Sequence, residues 1–488
     1  MNTIGKKKLS FVILMLCAMA SCTKDMTKLN DNPKVATTVQ GEMLFSNGEK
    51  AFADIMTTPN VNSGIFELIT QYWAETTYPQ ESQYDLGNRD IPLNWWNALY
   101  RDVIMDFNRS IILLRQQAED PALLPADKVA YTNKIAIAKI FRAYAFSALV
   151  NTYGDIPYAE ALLGNENTTP VYDNQTDVYY ALLDTISTSI GEMDLSGESF
   201  GSADLIYSGD VSLWYKAANS IMLKLAINIA DVDPAKSKQL VEAAVKNVIS
   251  SNDENATFAY LTTPPNVNPI WTNLVQSGRN DFVAASTIID TMLNHDDPRL
   301  PLYFTIPSSG PNAGSYKGGV PGSGNSYSSY SHTSLTTREA DFPAQIISYS
   351  EVCFFLAEAA ARGMNVEGTA AMWYDKGVAA SIEQWGGTAD DVSTYLSNPV
   401  NQFNASNWKK SIGVQAWIAY YTRGFDAWVE YRRLDYPQLQ APASAISVLP
   451  LRYTYPSNEP NLNKTNYDAA SSSIGGDDVG TKLFWDKY

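Results

Sequence analysis

The densest set of residues able to hold a ligand is Tyr72-Trp73 and Tyr78, followed by Trp95-Trp96-Asn97. Indole and phenol planes stack on apolar ligand faces, and an amide supplies donors and acceptors at the edge, so these residues offer recognition without bond making. Neighbours at the start of a helix lie about 100° apart around its axis, so Trp95 and Trp96 cannot both face the core and one is left for a ligand. The competing arrangement puts Trp96 and Tyr100, four apart, in a core stripe, with Trp95 capping a neighbouring loop. Trp271, Arg279, Asp281, Tyr327 and Tyr330 complete the candidate ligand contacts. Arg279 and Asp281 either hydrogen-bond ligand hydroxyls or pair with each other to fix their own loop.

Bond-making chemistry has far less to draw on. Two histidines, His295 and His332, and three cysteines, Cys17, Cys22 and Cys353, leave almost nothing for a zinc site or a nucleophilic triad. With 52 acidic residues a hydrolytic carboxylate pair survives simple counting, but no strand-rich barrel pattern or catalytic motif accompanies it. Acidic pairs such as Asp296-Asp297 and Asp477-Asp478 read as solvated turns before calcium ligands, so neither metal nor cofactor is expected. A formal charge of −17 repels phosphate backbones and argues against a nucleic-acid partner.

These residues must be positioned by a large folded chain: 488 residues with 45% hydrophobic and 12% aromatic content supply ample core. Lys6-Lys7-Lys8 and the short apolar run to Ala20 form a secretory signal over residues 1–21. Ala20 and Ser21 before Cys22 resemble a bacterial lipobox, so Cys22 is the expected lipidation site, and several acyl chains there give firm anchoring. Residues 22–40, polar and broken by Pro33, read as a tether, leaving 41–488 as one domain.

Within that domain apolar residues recur at three-and-four spacing near 41–56, 63–76, 94–118, 127–151, 173–194, 210–231, 234–250 and 284–295, predicting helices. Ile137, Phe141, Tyr144 and Ala148 mark one face of the longest, which runs into a turn at Gly154 and Pro157. Ile346, Tyr349, Cys353, Leu356 and Ala360 mark another, with Glu351 and Glu358 off that face and Cys353 an inert core residue. Residues 308–333 hold six glycines among serines and tyrosines, which predicts a long surface loop that either carries function, contacts a partner or is a disordered insertion.

Several blocks resemble one family. The turn Asn151-Thr-Tyr-Gly-Asp-Ile-Pro-Tyr158, then Asn268-Pro-Ile-Trp271, Arg279-Asn-Asp-Phe282 and Asp297-Pro-Arg-Leu300, are similar to the SusD/RagB lipoproteins, outer-membrane nutrient-binding proteins of Bacteroidetes, and to their SusD-like second subgroup. Ser350 to Ala359, Gly424 to Arg433 and Pro450 to Pro456 extend the resemblance across the chain. It implies a mainly α fold of tetratricopeptide-like helix pairs in a superhelical scaffold with long irregular loops. It also implies a cell-surface lipoprotein, not an enzyme, that captures a glycan and passes it to a SusC-like TonB-dependent transporter in the outer membrane. Sugar rings present apolar C–H faces and hydroxyl edges, which suits an aromatic platform with polar neighbours. A binder of peptides or other non-sugar nutrients and a surface glycosidase are the alternatives. The family's ligand platforms lie on variable loops outside these blocks, so the candidate contacts rest on aromatic clustering alone. Trp428, Arg432, Arg433, Arg452 and Glu459 read as scaffold, in an ion-pair lattice joining the last helix to the C-terminal segment.

Overall fold

Residues 125 to 153 form a long helix that runs from an exposed start into the core. Pro125 occupies the first turn, where its missing N–H costs nothing, and every residue from Ala143 to Tyr153 is buried, so the second half packs on all sides. The computed structural model describes residues 39–488; the signal segment 1–21, the expected lipidation site Cys22 and nearly all of the tether lie outside the described residues.

The fold is mainly α. Helices α1 (Gly41–Thr57), α2 (Ile91–Asn97), α3 (Met105–Ala118), α4 (Pro125–Tyr153), α5 (Gln175–Glu192), α6 (Val211–Asn228) and α7 (Pro234–Ala244) build the amino-terminal half. A π-helical stretch, Ala98–Ile104, joins α2 to α3. After α8 (Ser286–Asn294) come α9 (Tyr349–Ala361), α10 (Ala370–Gln384), α11 (Ala389–Ser397), α12 (Trp408–Ala419) and α13 (Gly424–Leu434). Sequential helices pack on one another, most extensively α9 on α10 and α4 on α5. At the first of these contacts Gly377 is required by space, since a Cβ there would sit 2.9 Å from the Phe354 ring. Gly41–Tyr488 forms a single unit.

Short strands clamp the loops to the helices. β1 (Trp73–Glu75), β2 (Ala256–Phe258), β3 (Phe282–Ala284), β4 (Phe304–Thr305), β5 (His332–Thr333) and β6 (Ala344–Ile347) make three antiparallel pairs, β1 with β3, β2 with β6 and β4 with β5.

Two sequence expectations need correction. The predicted helix over 63–76 shrinks to one turn, Phe66–Ile69, because Gln71 takes a left-handed φ of 57° and the chain then pairs as β1. Ile346 belongs to β6, and the next helix begins only at Tyr349, where Ser348 caps it and Glu351 reaches back to the cap in a reciprocal capping box.

Glu351 and Glu358 lie off the apolar face of α9, yet both are fully buried, because arginines meet them. Arg423 reaches Glu351 at 2.8 Å, and Arg433 lies between Glu358 and Glu430. Arg299 and Asp297 form a wholly buried pair at 2.6 Å. The Arg432 guanidinium lies between the Trp428 and Trp485 rings, 3.5 and 4.8 Å from their centres. Arg432 donates to the Asn151 carbonyl, and Arg452 to that of Tyr153, so two cations satisfy the open carbonyl end of α4 where Gly154 (φ 86°) turns the chain. Cys353 is buried, and burial pushes its thiol up to about 12.

Candidate functional site

β1 and β3 exist as a pair because each carries residues that bury on both sides, and their register sets Glu75 opposite Phe282. The loops leaving this pair are tied together: Thr76 N–H donates to the Asp281 carbonyl at 2.9 Å, and its hydroxyl donates to Asn280 O at 2.6 Å. Between them opens a cavity of about 110 Å³ lined by Tyr78, Arg279, Asp281 and Phe282, with Asn60 and Arg89 on the facing side. Arg279, Asp281 and Phe282 also line a second, smaller hollow with Trp73, Tyr327 and His332.

Tyr78 presents the open face. It is 67% exposed and takes a left-handed φ of 56°, an arrangement costing about 1–2 kcal/mol for a residue with a Cβ and concentrated at ligand sites. Its loop is pinned below by Glu75, whose carboxylate accepts from both the N–H and the hydroxyl of Ser82 at 2.8 Å, and by the Glu81–Arg89 pair. Burial, aided by the neighbouring Glu81 charge, pushes Glu75 up to about 8, against the two Ser82 hydrogen bonds, which favour its ionised form. Arg279 and Asp281 pair at 2.7 Å and remain partly open to solvent. The pair fixes the loop and leaves spare N–H and oxygen groups at the rim.

The glycine-rich loop closes the other side. It is ordered, not a disordered insertion: Gly319 N–H donates to Ala284 O and Ser331 O accepts from Ala284 N–H, both at 2.8 Å. Gly318 is needed for this approach, since a Cβ there would lie 2.4 Å from the Ala285 carbonyl. Tyr327 stacks on His332, centroids 3.8 Å apart and planes 13° from parallel. His332 Nε2 lies 2.6 Å from the Tyr327 carbonyl, which only accepts, so Nε2 carries the proton; burial lowers the imidazole pKa and keeps the ring neutral.

The structure thus brings Tyr78, Arg279 and Asp281 together, with Tyr327 and Trp73 behind them. Trp73 is a correction: it is 2% exposed, its indole donating to Tyr421 and its ring 5.5 Å from that of Phe282, so it forms the floor of the smaller hollow and offers no open ring face for stacking. Trp95 is another. It is fully buried against Phe66 and Phe425 with its N–H on the Thr152 hydroxyl, because the inward side of α2 faces the core, so it neither binds a ligand nor caps a loop. Trp96 and Tyr100 pack together, ring centres 4.8 Å apart and planes tilted by 49°, but in a cluster with the buried Tyr153 and Tyr172 that shares no lining residue with the cleft; Asn97 follows Trp96 in the chain. Trp271 ends a one-turn helix capped by Asn268 and is half-buried outside the lining, and Tyr330 packs half-buried on the core. Asn60, Asn62, Arg89, Asn273 and His332 were not foreseen; no local pattern marks them, because only the β1–β3 pairing gathers segments so far apart in the chain.

A cavity of about 30 Å³ in the core, lined by Lys224, Glu351, Asp426 and Arg433, belongs to the ion-pair lattice. Burial would raise the Asp426 pKa, but Arg423 and Lys224 beside it hold it below the usual carboxylate range.

A SusD-like family model, described as starch-binding and associating with the outer membrane, matches residues 32–456. The chain belongs to the SusD-like family. The solved structure of a chitin-binding protein is 27% identical and superposes with a TM-score of 0.80, covering 92% of this chain and 100% of that one. A SusD homolog from Bacteroides uniformis is 28% identical, with a TM-score of 0.78 and coverage of 92% and 99%. A chitin-binding SusD homolog from Flavobacterium johnsoniae, 24% identical with a TM-score of 0.76 and coverage of 92% and 98%, shares the fold. Comparison with curated proteins finds no match. Family members are outer-membrane associated, and no helix among the described residues is long and apolar enough to cross a membrane.

Proposed function

We propose that this SusD-like protein is a cell-surface lipoprotein, anchored through Cys22, that captures a glycan and delivers it to a SusC-like TonB-dependent transporter. The reading rests on the open cleft in which the exposed Tyr78 ring adjoins the Arg279–Asp281 pair, on a scaffold shared with a chitin-binding protein. Tyr78 stacks on a sugar face, and the ion pair and nearby asparagines take its hydroxyl or acetamido edges. N-acetylglucosamine oligomers are the first ligands to try, since chitin is what that relative is named for. The cleft's carboxylates support binding over hydrolysis: Glu75 is buried beneath the loop on Ser82, which leaves Asp281 alone at the rim, whereas glycosidic cleavage needs two carboxyls facing one bond.

Affinity electrophoresis of residues 41–488 through chitin, starch and other polysaccharides, with a peptide pool in parallel, tests the ligand. Retardation by a glycan without release of reducing ends is expected. Steady release, or binding of peptides alone, overturns the reading. Loss of detergent-phase partitioning in full-length Cys22→Ala tests the anchor, and co-purification of a TonB-dependent barrel from solubilised outer membranes tests the delivery partner.

A further inference from the structure

Another cavity, about 220 Å³, shares no residue with the cleft. His295, just past the end of α8, the turn at Pro399 and the first half of α12 enclose it, and its rim carries Gln402, Asn407 and Lys410. No carboxylate among the described residues lines it, although acidic residues outnumber lysines and arginines in the chain by 52 to 35. Lys410 is exposed and pairs with no carboxylate among the described residues, in contrast to Lys409 beside it, which reaches Asp231 at 3.5 Å.

The imidazole at the wall has a fixed tautomer. The Asn401 amide nitrogen donates to two carbonyls, His295 O at 3.0 Å and Tyr395 O at 2.9 Å, which settles which end of the amide is oxygen. That oxygen lies 2.6 Å from His295 Nδ1 and can only accept, so Nδ1 carries the hydrogen. Nε2 is left without a partner among the described residues. Gln415 behind it is committed inward, to Tyr395 and Arg299. The free groups around the cavity are therefore the Lys410 ammonium, a ring nitrogen, the Gln402 and Asn407 amides, the Asn404 amide nitrogen and the Ser411 hydroxyl hydrogen, with Pro399, Val400 and Val414 as the apolar part.

We propose that this cavity binds the carboxylate end of a single acidic sugar residue, with Lys410 on the carboxylate and Gln402, Asn407 and His295 Nε2 on the ring hydroxyls. The size fits one ring, since drug-sized ligands occupy about 300–1,000 Å³. An unpaired ammonium in a carboxylate-free hollow favours an anionic group over a neutral one. Only the sugar part of the assignment leans on the glycan-binding reading; the anion part stands on the lining.

The test is ligand-observed saturation-transfer NMR and titration calorimetry on residues 41–488 with glucuronate, glucose and inorganic sulfate. Glucuronate is expected to bind at least tenfold more tightly than glucose or sulfate. Lys410→Ala, exposed and thus expected to melt like the parent, should weaken glucuronate at least fivefold, and Tyr78→Ala should leave it unchanged. Glucuronate no tighter than glucose, or insensitive to Lys410→Ala, overturns the proposal, and sulfate binding as tightly as glucuronate overturns the sugar assignment. Polysaccharide binding weakened by Tyr78→Ala but unchanged in Lys410→Ala keeps the two sites distinct. Should the cleft bind no glycan while glucuronate binds through Lys410, this proposal stands and the proposed function falls.

Discussion

Arg279 and Asp281 meet at 2.7 Å across one residue, at the rim common to both hollows of the cleft. The pair is open to solvent, so its share in stability is small, about 0–1 kcal/mol. Its free donors and acceptors face the space a ligand would occupy. Arg279→Ala and Asp281→Asn are each expected to leave the melting temperature within about 2 °C and to weaken glycan binding several-fold. Calorimetric titration alongside thermal melts checks this; a large melting shift with unchanged affinity would make the pair structural only.

Tyr78→Ala should act on binding alone. The ring is 67% exposed, and relieving a left-handed non-glycine residue is not expected from alanine, so folding changes little. An aromatic contact contributes about 0.5–1.5 kcal/mol beyond its area, which is about a two- to tenfold rise in Kd. Tyr78→Trp, with a larger face, should keep affinity, and equal weakening by both substitutions would contradict a stacking role.

The helical scaffold is legible because its pattern is local. In α4 the spacing of Ile137, Phe141, Tyr144 and Ala148 reports one buried face, and Gly154 reports the stop. Residues 63–76 carry similar spacing but adopt another structure, because Gln71 goes left-handed and β3 offers a partner that no local window contains. The same limit governs the site. Arg279 and Asp281 stand out as a block, and Tyr78 as an aromatic near others, but Asn60, Arg89 and Asn273 reach them only through tertiary pairing. The angular rule correctly separates Trp95 from Trp96, yet which of them turns inward depends on Phe66 and Phe425, distant in sequence.

Stability should fall as pH rises across neutrality. Burial pushes Glu67 up to about 7, with only backbone N–H donors to offset it, and Glu75 up to about 8. A carboxyl with a raised folded-state pKa keeps the fold at full strength below about 4.5 and weakens it as pH climbs through the folded value, because the folded state holds a proton that the unfolded chain releases. For Glu67 the window is about pH 4.5 to 7, with a loss of about 1–3 kcal/mol. Glu67→Gln removes that proton, so the variant's melting temperature should decline less than the parent's between pH 5 and 8. Parallel slopes would show that Glu67 ionises normally.

The core lattice predicts a different pattern of damage. Arg433 is 5% exposed and holds Glu358 and Glu430, and Glu358 retains Arg362 at 2.7 Å whereas Glu430 pairs with no other cation among the described residues. Arg433→Met therefore strands one buried charge, which costs about 3–5 kcal/mol. The loss should be largest at high pH, where Glu430 cannot escape by taking a proton. Adding Glu430→Gln to Arg433→Met removes the stranded charge and should recover more than half of the loss, since a packed methionine beside a neutral amide leaves no charge unpaired. Denaturant unfolding of the two single variants and the double variant measures the coupling. Additive losses would mean that Arg433 acts through packing and not through Glu430.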